Sequence, residues 1–527
     1  MRKEGGKPRR RNEFLEDDKY NSRQFGAWRK KSPQLHQTKN YNEGDDNSMP
    51  RRPRTASKSK SFYIPEDEPF KSSYDDLHFD IKNRCGYAKS NASSSVLSAV
   101  QRREICSNWV NKHFLCTNHR SRPGGFTAAE QVNLESNFFP NRRRRIDAVR
   151  AKTFCVGYIN GGNHKIRLYE KFGARRQYFL QRALDVPYVG WSILDVVVSP
   201  DGKDIVYSTW NEAMYQCTID GDESDENWIP LRVEATEARF ALFSIRFNNT
   251  GTEIVAGSTD QHLYIYNREC CSSVLTLKAH DDDVNAVCFG DAESNILLSG
   301  ADDGLVKQDL LGFLLDIETA LLFIDSRGDD RYFLSNSKDQ TIKVWDIRHF
   351  ATEEGIESTR DSVRKQQWDY RWQTPEPNIK TLRMDGDCSI LTLRGHSVLH
   401  TLVRARFSPE HTGKRFIYSG CGRGNIVVYD IYTGKISKVF KGHLSVVRDV
   451  GWSPTENEII GASWDGAVSH WRYDERYARN INPNGGEMGD EDSTDENYKP
   501  IQTKSGSRRR RAARDDENDD EIRKTRR

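Results

Sequence analysis

Apolar residues through the middle of this chain recur as pairs of short runs separated by polar turns. Phe333 and Leu334 open one run, Lys338-Asp339-Gln340 supplies turn chemistry, and Ile342 and Val344 then alternate with polar residues up to Trp345-Asp346. A period of two predicts a half-buried strand, and two such runs around a tight turn predict a hairpin. Related units follow at 164–170, 191–210, 243–267, 280–303, 322–348, 403–430 and 443–471. Their spacing of about forty residues is the period of a four-stranded propeller blade. The pattern therefore predicts an all-β, seven-bladed β-propeller over residues 147–474.

Units that end in Trp-Asp, as at Trp345-Asp346, give the repeat a WD40 character. Two units are short by that standard. The first compresses to FCVGYINGGNHKIRLYE, and the fourth runs from Ala301-Asp302-Asp303-Gly304 into LVKQDLLGFLLDIETALLFID with no Trp-Asp end, so both are expected to lack part of a blade. Residues 349–399 form an insertion far longer than an ordinary blade connection, which on a rigid scaffold is functional or unstructured.

The flanks have a different texture. Residues 1–90 are rich in Lys, Arg, Asn, Ser and Asp with few aliphatics, and predict a disordered basic extension. Residues 91–146 carry helical spacing at Val96, Leu97, Val100, Ile105, Trp109 and Val110, then a capping box at Thr127–Glu130, and predict a helical N-terminal segment. Arg142–Arg145 make a basic joint into the first strand. Residues 475–527 alternate acidic and basic runs and predict a disordered charged tail.

Charge separates these regions further. Residues 1–146 hold 30 Lys/Arg against 17 Asp/Glu, whereas the central part is net acidic, although the whole chain sums to only +3. Basic clusters at Arg9–Arg11, Arg51–Arg54 and Arg508–Arg511 suit nuclear import or nucleic-acid contact, or are simply solvated. Ten cysteines occur with no Cys-x-x-Cys pair and no His pair at zinc spacing, so no disulfide framework, metal site or cofactor is expected. The opening residues have no apolar core of a secretion signal and no long apolar run occurs, so no membrane association is expected. Neither a Gly-rich phosphate loop nor a nucleophile elbow is present, which argues against an enzyme.

Two groups of residues remain as candidates. His443, Ser463, Asp465 and Trp471 stand where propeller blades link a loop His, strand Ser, turn Asp and strand Trp in a buried relay, so these, with His280 and His396, read as structural. Arg348, two places after Asp346, has no packing duty in a blade and reads as a binding residue. A second Trp-Asp-x-Arg, Trp368–Arg371, lacks the preceding alternating strand and reads as a decoy.

The strings VGWSILDVVVSPDG, AHDDDVNAVCF, FLSNSKDQTIKVWDIR, QQWDYRWQ, LTLRGHSVLHTLVRARFSP and VRDVGWSP resemble a family of WD-repeat substrate receptors of cullin-4 RING ubiquitin ligases. The resemblance runs from about Gln131 to Trp471. It departs at the short first and fourth units, where Lys307-Gln308-Asp309 replaces a further Trp-Asp-x-Arg of the relatives. It implies a binding subunit without chemistry of its own, whose Arg348 faces the damaged-DNA-binding adaptor while Asp339, Trp345 and Asp346 shape the blade that presents it. It also implies a substrate of the cap'n'collar stress-response transcription-factor class, and residence in the nucleus with the cytoplasm also open. The competing reading is a nucleic-acid-associated scaffold in RNA processing, motivated by the basic N-terminal third.

Overall fold

The computed structural model describes residues 62–63, 68–85, 132, 138–149, 151–156, 159–162, 165–172, 177–190, 192–219, 228–234, 240–308, 313–316, 321–365, 371–373 and 387–474. The described strands assemble into seven antiparallel sheets. Six are four-stranded blades and one carries a fifth strand, which corrects the expected propeller of seven four-stranded blades to six of that kind and one enlarged sheet. The innermost strands, from Thr153–Val156 through Asp195–Val198 and onward to Val447–Trp452, neighbour one another in sequence order and close a ring. The closing blade is shared between chain ends: Arg142–Ala148 pairs with Ala467–Arg472, joining the described N-terminal part to the last repeat. Arg142–Arg145 thus lies inside a strand, which moves the propeller boundary earlier than 147. Gly466 sits at φ +80° where that strand leaves the sheet, and a Cβ there would lie 2.0 Å from the Val149 carbonyl oxygen, so only glycine lets the entering chain pass.

The first and fourth units are not missing strands. Thr153–Val156, Ile159–Gly162, Lys165–Phe172 and Gln177–Asp185 make a full first sheet, and Val284–Phe289, Leu297–Ala301, Leu305–Gln308 and Phe313–Asp316 make the fourth. In the first sheet the two inner strands are only four residues each, before strands of eight and nine, and in the fourth the two outer strands are four residues each. Nor is the insertion a loop throughout. It contains a helix at Glu353–Lys365 and ends in Leu391–Arg394, which pairs with Thr341–Asp346 as the fourth strand of the fifth sheet.

Burial along Thr341–Asp346 departs from the half-buried alternation expected of it, because every residue of the strand is buried. A blade in mid-ring packs on both faces, so its middle strands read like those of a two-sided sheet. Lys343, 1 % exposed, is tolerated there because its Nζ lies 2.9 Å from Asp387 at the end of the insertion.

The largest correction falls on the N-terminal extension. Phe62–Tyr63 is the fifth strand of the fifth sheet, pairing with Leu393 and Thr392, and a helix, α1, spans Glu68–Cys85. Leu77, Ile81 and Cys85 stand four residues apart on one narrow stripe and are buried with Tyr332, Leu334, Ile417 and Tyr429 of the fifth and sixth sheets. His78 stacks on Tyr432 with ring centroids 4.0 Å apart. One stripe of three small-to-medium apolar residues is too thin to stand out against a strongly polar composition. The helices expected over 91–146 lie outside the described residues apart from Val132 and Phe138 onward. Deleting residues 1–61 is expected to change Tm little, whereas deleting 1–85 should lower it by several degrees, since burial of each Leu or Ile contributes roughly 1.5–3 kcal/mol. Differential scanning fluorimetry of the two truncations checks this.

Candidate functional site

Arg348 stands just beyond the third strand of the fifth sheet, and its guanidinium is held without being hidden. Its Nε donates to Asp346 Oδ1 at 3.1 Å and its Nη2 to Asp346 Oδ2 at 2.8 Å, while its side chain stays 54 % exposed. Asp346 is itself fully buried and also accepts from Arg331 Nε at 3.0 Å. Arg331 reaches on to Asp76 of α1 at 2.7 Å, and Arg348 lies 3.9 Å from the same carboxylate. The result is a pre-ordered cation beside a charged helix edge, with Phe79 of α1, one turn on from Asp76, 60 % exposed.

The other residues expected to shape this blade fall in different places. Trp345 is buried, with Nε1 donating to Ser335 Oγ at 2.8 Å and Phe333 stacked beside it, which fixes the strand end that carries Arg348. Asp339 sits at the opposite end of the strand, about 20 Å away by strand rise. There it caps the turn, accepting from Thr341 N at 2.8 Å while Gln340 takes φ +71°. Asp339 therefore shapes the turn and lies far from the Arg348 surface. Of the second signature, Trp368 and Asp369 lie outside the described residues. The Arg371 carbonyl meets His400 Nδ1 at 3.0 Å, and Arg371 acts on Asp302, so it belongs to the rim opposite Arg348.

The buried histidines sit in polar relays. His280 joins Asp303 at 2.8 Å and Ser299 at 2.9 Å. His443 Nδ1 lies 3.1 Å from Asp465, whose backbone N–H donates to Ser463 Oγ, and the Trp471 ring stands 5.6 Å from the imidazole. Ser463 Oγ, however, donates to the Ser445 carbonyl rather than to His443. His396 bridges two sheets, between Asn336 Oδ1 at 2.9 Å and Tyr429 Oη at 3.1 Å, and burial pushes its pKa down to about 4.

A buried ionic cluster at the centre of the ring went unnoticed in the sequence. Arg404, ahead of the sixth sheet, donates to Asp195 of the second sheet at 2.7 Å and to Asp449 of the seventh at 3.1 Å. Arg246 holds Asp195 from the other side at 2.8 Å, and Arg406 holds Asp449 at 2.7 Å. Burial alone would raise the Asp195 carboxyl, but Arg404 and then Arg246 more than reverse it and hold it far below the usual carboxylate range. Asp449 is lowered likewise, burial being outweighed by Arg406 and Arg404. The signal was present in register: Asp195 and Asp449 occupy one place in LDVVVSP and RDVGWSP, an acid on an inner strand ahead of Ser-Pro.

Asp325 on the fifth inner strand is different, since burial pushes it up to about 6 although Phe407 N donates to it at 2.9 Å. A raised folded-state pKa means that its stabilising contribution is complete below about pH 4 and is lost as pH rises through about 6. Asp325→Asn keeps the acceptor and cannot ionise. It should stabilise the protein at pH 7.5 by on the order of 2 kcal/mol, with the gain shrinking toward pH 5. Urea denaturation at both pH values measures this, and a less stable variant at pH 7.5 would contradict it.

Among the described residues no group of three His, Cys, Asp or Glu is placed to hold a metal, and no helix is long and apolar enough to cross a membrane. The family model described as "WD domain, G-beta repeat" matches residues 271–308, 319–346 and 434–472. The chain is 40 % identical to a Caenorhabditis elegans protein described as "DDB1- and CUL4-associated factor 11 homolog", over 81 % of this chain and 77 % of that protein. It is 32 % identical to the "LEC14B homolog" of Prunus armeniaca over 68 % of this chain and 80 % of the relative. Among solved structures, the WD40 propeller domain of Doa1 aligns at a TM-score of 0.47 and 14 % identity, covering 64 % of this chain and 98 % of that one.

Proposed function

Because the chain belongs to the family of the DDB1- and CUL4-associated factor 11 homologues, non-enzymatic WD40 propellers, we propose that it is a substrate-recognition subunit of a cullin-4 ubiquitin ligase. The observation that carries the reading is the half-exposed Arg348, locked by Asp346 at the end of a rigid strand. An arginine whose fork is already ordered loses little entropy on meeting a carboxylate or carbonyl of a partner. The adaptor surface on this reading comprises Arg348, Asp76 and Phe79, a cation beside an exposed aromatic of the kind that dominates interface energetics. Affinity purification with mass spectrometry tests it: the DDB1 adaptor and cullin-4 are expected with the wild-type chain, and their absence would remove the proposal.

The finer parts of the proposal are a cap'n'collar stress-response factor as substrate and a nuclear location, the latter resting on the basic run Arg508–Arg511. Ubiquitination of such a factor in a reconstituted ligase, and imaging of a fluorescent fusion with that run neutralised, read them out. A nucleic-acid scaffold would instead show binding that weakens steeply between about 50 and 200 mM salt.

A further inference from the structure

Of the eight cysteines among the described residues, six are buried and two, Cys270 and Cys271, are exposed and adjacent. They form the tip of the hairpin between His262–Asn267 and Ser272–Lys278 in the third sheet. Hydrogen bonds tie that tip down, and Cys271 Sγ donates to the Arg268 carbonyl at 3.4 Å. Asn267 Oδ1 accepts from Glu269 N at 2.9 Å and Cys270 N at 3.1 Å, and Arg268 is tied to Asp204 and to the Gly251 carbonyl.

The sixth sheet builds the same turn from different residues. There Asp430 Oδ1 accepts from Tyr432 N at 3.1 Å, Thr433 Oγ1 donates to Asp430, and Gly434 adopts φ +66°. Superposed by register, Thr433-Gly434 becomes Cys270-Cys271, and Cys271 adopts φ +52°. A side chain in that left-handed conformation is strained where glycine is not. Both exposed thiols therefore stand together at a position whose backbone favours another residue.

Adjacency also limits what the pair can do. Neighbouring Cα atoms across a trans peptide are about 3.8 Å apart, shorter than the roughly 4.4–6.8 Å span of an ordinary disulfide, so direct S–S closure is disfavoured. A third atom between the sulfurs relieves this, since a metal–thiolate bond adds about 2.3 Å on each side. We propose that Cys270 and Cys271 form a two-thiol site for a thiophilic trivalent metalloid, an organoarsenical being the probe class. With phenylarsine oxide the step is PhAs=O plus two Cys–SH giving PhAs(S–Cys)2 plus water. Two As–S bonds form, the two S–H bonds and As=O break, both protons leave in the water, and arsenic stays trivalent.

The test uses the full chain with Cys106 and Cys116, which lie outside the described residues, replaced by Ser in every arm. Native intact mass should show one phenylarsine adduct per chain, less one water, that survives excess monothiol. Cys270→Ser and Cys271→Ser should each weaken retention about a hundredfold, because the second thiol acts at high effective concentration. Cys271→Gly should do the same while leaving Tm equal or higher, which separates loss of the site from loss of fold. The proposal is overturned if the wild-type chain forms no adduct resistant to monothiol, or if either single variant retains it as well as the wild type.

Discussion

Arg404→Ala should be among the most damaging single changes in this propeller. Its guanidinium neutralises Asp195 and Asp449, both buried, so truncation leaves two carboxylates short of their shared cation. Removing one partner of a buried pair typically costs about 3–5 kcal/mol, and Tm should fall by on the order of 5 °C or more. Arg246 and Arg406 remain as second partners, which keeps the loss from doubling. The pH dependence gives the mechanism. In the wild type both carboxyls have lowered folded-state pKa values, so their stabilisation is present above about pH 4 and is lost as pH falls below it. Without Arg404 those pKa values rise, so the deficit should be largest at neutral pH and narrow on acidification. Thermal melts of both proteins from pH 7.5 to 4 test this, and a deficit that grew in acid would place the stabilising role of Arg404 elsewhere.

Arg348→Ala should show the opposite profile, a small effect on stability and a large one on binding. Asp346 keeps Arg331 as its partner when Arg348 is truncated, and the lost side chain is half exposed, so stability should move by no more than about 0.5 kcal/mol. Loss of an ordered arginine anchor should cost adaptor affinity about 2 kcal/mol, some thirtyfold. Arg371→Ala, on the opposite rim, is the control and should bind normally. Surface plasmon resonance against purified DDB1 reads out both. Equal affinity of wild type and the Arg348 variant would withdraw this surface from the proposal, and loss with the Arg371 variant alone would move the adaptor to the other rim.

Much of the propeller was legible in the chain because its determinants are local. Strand alternation, the Asp-capped turns at Asp339 and Asp465, and the forty-residue period each need only a few neighbouring residues. Arg348 was visible for the same reason, as a cation after Trp-Asp with no packing duty. The completeness of the first and fourth blades was not visible, since strands of four residues such as Leu305–Gln308 carry too little periodicity until a neighbouring strand pairs with them.

Sequence alone thus determined the repeat, its turns and the exposed arginine, all set by contacts within one unit. Only the tertiary structure decided what α1 packs against, where Asp339 sits relative to Arg348, and how Arg404 is used. A helix whose buried apolar stripe is Leu77, Ile81 and Cys85 gains that burial from the fifth and sixth sheets, more than two hundred residues away in the chain. Arg404 and Asp195, 209 residues apart, are ordinary charges in their own repeats. Closing the ring brings them together and removes the water that would otherwise have screened them, and that desolvation makes their pairing matter.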